Sequence, residues 1–168
     1  MIARIVFSPD VLQELGWLTL VYSYLDENLT LFLSAVSNPD DPTSLHQRLA
    51  AEGIRSKVKK LRRAVTSVSK AHHIYEEFEE VGLHIEEAVS RRNELVHGFV
   101  LFADDGSTPI SKRIHKSDPP HPITIVDVQA THRSLSDANT ELLVFAGRFW
   151  KKLVEARRRE RQVPPPSA

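Results

Sequence analysis

Arg92 and His97 stand five positions apart, and Asn93 follows the arginine directly, in the stretch Arg91-Arg92-Asn93-Glu94-Leu95-Val96-His97-Gly98. These residue types can act together on a phosphodiester. A histidine near its reference pKa of about 6.5 can take a proton from a 2′-hydroxyl or give one to a leaving 5′-oxygen. A guanidinium binds phosphate through two parallel N–H donors and stabilises charge on the pentavalent intermediate. Such a transesterification needs no metal. It leaves a 2′,3′-cyclic phosphate and a 5′-hydroxyl, and its need for a 2′-hydroxyl restricts the substrate to RNA.

The positions of these residues carry their own information. Phe78, Val81, Ile85 and Ala88 form an apolar stripe at helical spacing, with Leu95 and Val96 beyond. Arg92 falls where that stripe should continue. Its neighbours at three and four positions are Ala88, Val89, Leu95 and Val96, none of them acidic. Its own helix therefore offers no charge partner. A half-buried guanidinium cannot shed its proton, so another helix, another subunit or an anionic ligand must satisfy it.

Five residues at 100° each place Arg92 and His97 roughly 140° apart around a regular helix. One helix alone makes a poor two-residue site unless Arg92 curls round. Two copies meeting near a two-fold axis would each contribute both side chains to a shared cleft. Asn93 lies four positions before His97 on the same face and is placed to orient the imidazole. Glu94, three before, could do the same or raise the histidine's pKa. Arg91 has Glu87 four back and Glu94 three ahead, which reads as a surface ion pair.

The elements that must hold these residues are mainly helical. Ser8-Pro9 starts a first helix, with Ser8 capping and Pro9 at the first position, and Asn38-Pro39 stops it. Leu18, Val21, Leu25, Leu29, Phe32 and Val36 share one face of it. Asp40-Asp41-Pro42-Thr43 reads as a loop. A second helical region spans about Ser44 to Ser69, with Gly53 as a candidate break. A third runs from Ala71 or His72 to about His97, where Gly98 can terminate it. Short strands are expected at Phe99–Phe102 and Ile123–Val126, with a further one at Ile110–Ile114, around the turn Asp104-Asp105-Gly106-Ser107. A last helix runs from Val128 or Thr131 to about Arg161, its apolar side including Leu135, Leu142, Leu143, Phe145, Phe149 and Trp150. The expected fold is a four- to five-helix bundle with a small β-hairpin insertion at about 98–126. It forms a single domain over 1–162, followed by a disordered tail at 163–168.

Composition bounds the partners. Lys+Arg and Asp+Glu are equal at 22 each, so net charge selects no partner, but the charges are segregated. Arg55 to Lys70 is basic, Glu76 to Glu87 acidic, and Arg148 to Arg161 basic again. The first basic stretch is a candidate RNA path, although without interleaved aromatic rings it signals no sequence-specific reading. No cysteine is present, which removes disulfides, thiolate chemistry and Cys-type metal sites. His72, His73 and His84 could suggest a metal, but His73 with Glu77 and His84 with Glu80 read as ordinary helix-surface pairs rather than a three-ligand set, and no metal or cofactor is expected. His115 and His121, with Lys112, Arg113 and Lys116, read as a solvated loop. Trp17 and Trp150 read as core. The apolar stretch from Leu15 to Val36 is interrupted by Tyr24, Asp26, Glu27 and Asn28, so no membrane span and a cytoplasmic location are expected.

The run from Arg92 to His97, at the end of the third helix of a bundle, resembles the HEPN superfamily. That family's motif is an arginine, four to six residues and a histidine, often with a polar residue straight after the arginine. Arg92, Asn93 and His97 match these features, and Gly98 and Phe99 share the family's look. The resemblance implies a metal-independent endoribonuclease of the kind found in toxin–antitoxin, antiviral and RNA-processing systems. It implies Arg92 and His97 as catalytic with Asn93 in support, a homodimer whose two motifs form the cleft, and RNA as partner without DNA sequence recognition. A cognate antitoxin or regulatory protein is a further partner it suggests. Other members are non-catalytic modules for dimerisation, partner docking or RNA binding. In a subset, a tyrosine two positions after the histidine accepts a nucleotide from a partner antitoxin. Phe99 stands there in this chain, which lacks that acceptor.

Overall fold

Ser8 and Pro9 start the first helix as their chemistry requires. The Ser8 hydroxyl accepts the Val11 N–H at 3.3 Å, and Pro9 takes the position whose N–H would have no helical partner. Helix α1 runs Pro9–Ser37 and stops before Pro39, which disfavours helical geometry at Asn38. The computed structural model describes the backbone of residues 8–68, 72–97, 99–102, 109–112, 121–122 and 124–162, and the side chains of 8–68, 76–96 and 124–155.

The second helical region is two helices. Helix α2 spans Pro42–Leu49 and α3 spans Ile54–Val68, with Gly53 in the break between them. The expected loop at Asp40–Thr43 is shorter than the sequence pattern suggests. Asp41 accepts the Ser44 N–H at 3.3 Å, and Pro42 sits at the first helical position, so the helix begins there. Helix α4 spans His72–His97 and α5 spans Ile125–Gln162.

Between them lie three short strands, β1 (Phe99–Phe102), β2 (Pro109–Lys112) and β3 (His121–Pro122), in antiparallel order β1-β2-β3. Phe99 pairs with Lys112 and Phe102 with Pro109. The stretches 103–108, 113–120 and 123, which the expected hairpin insertion also includes, lie outside the described residues, as do Gly98 and the tail at 163–168. The strand expected at Ile123–Val126 does not form from Thr124 onward: Ile125 and Val126 open α5. Thr124 and Asp127 cap that helix reciprocally. The Asp127 carboxylate accepts the Thr124 N–H at 2.8 Å, and the Thr124 hydroxyl accepts the Asp127 N–H at 3.3 Å. Two β-branched residues therefore sit in a first helical turn because the cap outweighs their weak preference for strands.

The described helices divide into two compact units, 1–26 with 84–139 and 27–83 with 140–168. In the first unit, Leu18, Leu25, Ile85, Ala88, Val89, Val128, Leu135 and Ala138 are buried. Glu14 of α1 ties that helix to α5, accepting from Gln129 Nε2 at 3.3 Å and pairing with His132 Nδ1 at 3.3 Å.

In the second unit the interior is aromatic. The Phe32 ring stands edge-on to Phe145, Phe149 and Trp150 at 5.6–6.2 Å between centroids, and Phe78 tilts against Phe145 at 5.2 Å. Such pairs add about 0.5–1.5 kcal/mol each beyond the area they bury. Around this core, Arg62 Nε meets Glu79 at 2.9 Å, and Glu77 holds both Lys152 (3.2 Å) and Arg148 (3.9 Å) of α5. Gly82 lets α4 come close to α3: a Cβ there would lie 3.3 Å from an Arg62 nitrogen and 3.5 Å from Val58.

Besides Val96, which is 41% exposed at the end of the α4 stripe, three side chains depart from the sequence pattern. Trp17 is 48% exposed rather than core, because Leu18 and Leu25 occupy the buried face and Trp17 lies about 100° round from Leu18. Leu143 is exposed for the same reason beside the buried Leu142. Lys57, a member of the basic run from Arg55 to Lys70, is fully buried at 0%. Its position lies between Ile54 and Leu61 on the apolar side of α3, one helical step from each.

Candidate functional site

The last turns of α4 hold the motif. Ile85, Ala88 and Val89 anchor that helix in the first unit by their buried side chains. One turn on, Arg92 is half-buried. Its guanidinium carbon lies 4.3 Å from the centroid of the Tyr22 ring on α1. Its Nη1 donates to Asn93 Oδ1 at 3.2 Å. The partner that the sequence required from outside the helix thus includes a ring face on a neighbouring helix. Nothing in the local sequence marks Tyr22, because it stands 70 positions earlier.

The bond between Arg92 and Asn93 has a geometric consequence. Adjacent residues diverge by about 100° around a helix, so the guanidinium must curl round the axis to reach the amide. It curls toward the ridge that Asn93 shares with His97, four residues and about 6 Å further along. His97 is the last residue of α4, and its side chain lies outside the described residues. Asn93 uses its amide oxygen on Arg92. The donors an amide offers besides are its two N–H groups, which suit an imidazole nitrogen or a phosphate oxygen.

The charged neighbours of the motif have other contacts. Arg91 pairs with Glu87 at 3.3 Å, as their spacing predicted. Glu94 accepts from the Ser90 hydroxyl at 3.2 Å. A stacked guanidinium uses its face on the ring, whereas its in-plane N–H fork is the part that matches phosphate. The Tyr22 ring and the Asn93 amide together fix the guanidinium of Arg92, whose Nε is buried.

The pairing of His132 with Glu14 was not legible in the sequence. The two residues are 118 positions apart and share no motif. A carboxylate on Nδ1 fixes the tautomer and directs Nε2 away from it. Gln129 and His132, three apart on α5, both grip this carboxylate, so the cluster serves as a tie between helices.

Among the described residues, no group of three or more His, Asp or Glu side chains could hold a metal ion. Glu77, one candidate surface partner of His73, pairs with Lys152 and Arg148. The side chains of His72, His73, Lys112, Arg113, His115, Lys116 and His121 lie outside the described residues. No described helix is long and apolar enough to cross a membrane. Compared with protein-family models, curated proteins and solved structures, the chain matches none.

Proposed function

We propose that the chain is a metal-independent endoribonuclease of the HEPN type, which cleaves RNA by attack of its own 2′-hydroxyl. Arg92 binds and neutralises the scissile phosphate, His97 moves the proton, and Asn93 positions both. The observation that supports this most is the curled guanidinium of Arg92, bonded to Asn93 at 3.2 Å on the ridge leading to His97. A helix that must bring residues 92 and 97 to one phosphate needs that curl. A second copy meeting the first near a two-fold axis would double the set, and a homodimer is part of the proposal. RNA is the partner, and no cofactor enters the reaction.

The reaction is tested by its product ends. Purified protein is incubated with RNA in excess chelator, and the fragments are treated with polynucleotide kinase and labelled ATP. Cyclic-phosphate chemistry predicts that the new 5′ ends accept label without prior dephosphorylation. New ends that need phosphatase first would exclude 2′-hydroxyl attack.

One observation favours a second reading. The Tyr22 stack gives Arg92 a structural role inside one unit, as in a non-catalytic HEPN-like module that docks a partner. That reading expects Arg92→Ala to lower stability and leave RNA untouched by wild type and variant alike.

A further inference from the structure

Helix α3 presents three cations in a row. Arg55, Lys59 and Arg63 follow one another at four-residue spacing, and all three are exposed. The row therefore spans about 12 Å of helix surface. Its middle residue lies about 140° round the axis from Ile54, the start of the buried face. Ile54, Val58, Leu61 and Val65 on that face are each at most 2% exposed. The row thus rides on an element fixed by its own packing.

Among the described residues no ion pair discharges it. The helix from Ile54 to Val68 contains no acidic residue. The acids next to it are engaged with other cations: Glu52 with Lys60, and Glu79 with Arg62. No ion pair joins Arg55, Lys59 or Arg63 to another described residue. In a chain whose formal charge is zero, this is local segregation of positive charge, not a general excess. The residues that flank the row on the exposed side, Ser56, Lys60 and Arg62, are polar, not the apolar wedge that would enter a lipid surface.

We propose that this row is a docking track for the phosphate backbone of a single RNA strand, separate from the motif at the end of α4. The proposal rests on RNA being the substrate, and it adds where the strand is gripped away from the reacting phosphate. Three evenly spaced point charges without aromatic platforms hold a backbone irrespective of sequence.

The test uses an RNA oligonucleotide methylated at every 2′-oxygen, which can be bound but cannot transesterify. Its affinity for the full chain is measured by fluorescence anisotropy across a salt series. The variant Arg55→Gln/Lys59→Gln/Arg63→Gln is compared with a control that loses the same charge elsewhere, Arg48→Gln/Arg133→Gln/Lys151→Gln. Loss of three phosphate contacts lowers the slope of log K against log salt by about 2, at about 0.7 per contact. The control keeps the wild-type slope. Equal slopes for the two triple variants, or no binding by wild type at low salt, overturn the track. So does equal or stronger binding to phosphatidylserine vesicles. A row variant that alters only the sedimenting mass overturns it as well, since the face would then join two copies of the chain. Cleavage of unmodified RNA is scored separately. A track without cleavage sinks only the nuclease, and cleavage with unchanged slopes sinks only the track.

Discussion

The guanidinium carbon of Arg92 lies 4.3 Å from the centroid of the Tyr22 ring, so the motif's cation is held by a helix that begins more than 80 positions before it. Cation–π contacts contribute about 0.5–1 kcal/mol when exposed and about 2 when desolvated. This half-buried pair should fall near the middle of that range. A double-mutant cycle of Tyr22→Leu with Arg92→Met, read by urea denaturation, should give a coupling of about 1 kcal/mol. Tyr22→Phe should retain most of it, because the ring face remains. A coupling within error of zero would mean that the stack orders nothing.

Phe145 and Trp17 should respond in opposite ways to truncation. Phe145 is buried against Phe32, Phe78 and Phe149, so Phe145→Ala should cost about 3–5 kcal/mol. Trp17 is nearly half exposed, and Trp17→Ala should cost less than about 1 kcal/mol. Equal losses in the two denaturation curves would mean that α1 is rotated relative to the arrangement described.

Glu52 supplies the pH dependence. The hydrogen bond from Lys60, then that from Ser56, holds its carboxyl below the ordinary value of about 4.5. A carboxylate with a depressed folded pKa contributes stability above its unfolded pKa and loses it as pH falls through the folded one. The link to Lys60 should therefore be intact at neutral pH and fade only in acid, below pH 4.5. A carboxyl-carbon NMR titration should show Glu52 with a midpoint under 4.5, and Lys60→Met should move that midpoint upward. A midpoint unmoved by Lys60→Met would remove the assigned cause.

Much of the helical layout was legible because its signals are local. Ser8-Pro9 and Asn38-Pro39 bracket α1, Gly53 falls in the break between α2 and α3, and α4 ends at His97, the residue before the glycine expected to terminate it. The starts of α2 and α5 were also written in the chain, as Asp41-Pro42 and as Thr124 with Asp127. Turn composition and β-branching masked them.

What was not legible depends on pairing across long separations. Helix α1 carries apolar residues on more than one face, and periodicity alone cannot choose which turns inward, so Trp17 was misplaced. Lys57 lies on the apolar side of α3, but a charge inside a basic run gives no sign of burial. For the candidate site, the adjacency of Arg92 and Asn93 and their relation to His97 follow from spacing. Tyr22 does not, because only the packing of α1 on α4 creates that contact.

Initial cleavage rates decide whether Arg92 and His97 form a working pair. Wild type, Arg92→Ala and His97→Ala are compared on one RNA oligonucleotide and on its 2′-deoxy analogue, in excess chelator. Wild type should cut only the ribo-oligonucleotide. Each variant should lose at least about 100-fold, the scale of a lost general acid–base or a lost anion-stabilising donor. Equal rates for the three proteins, cleavage of the deoxy analogue, or no cleavage by wild type would contradict the assignment.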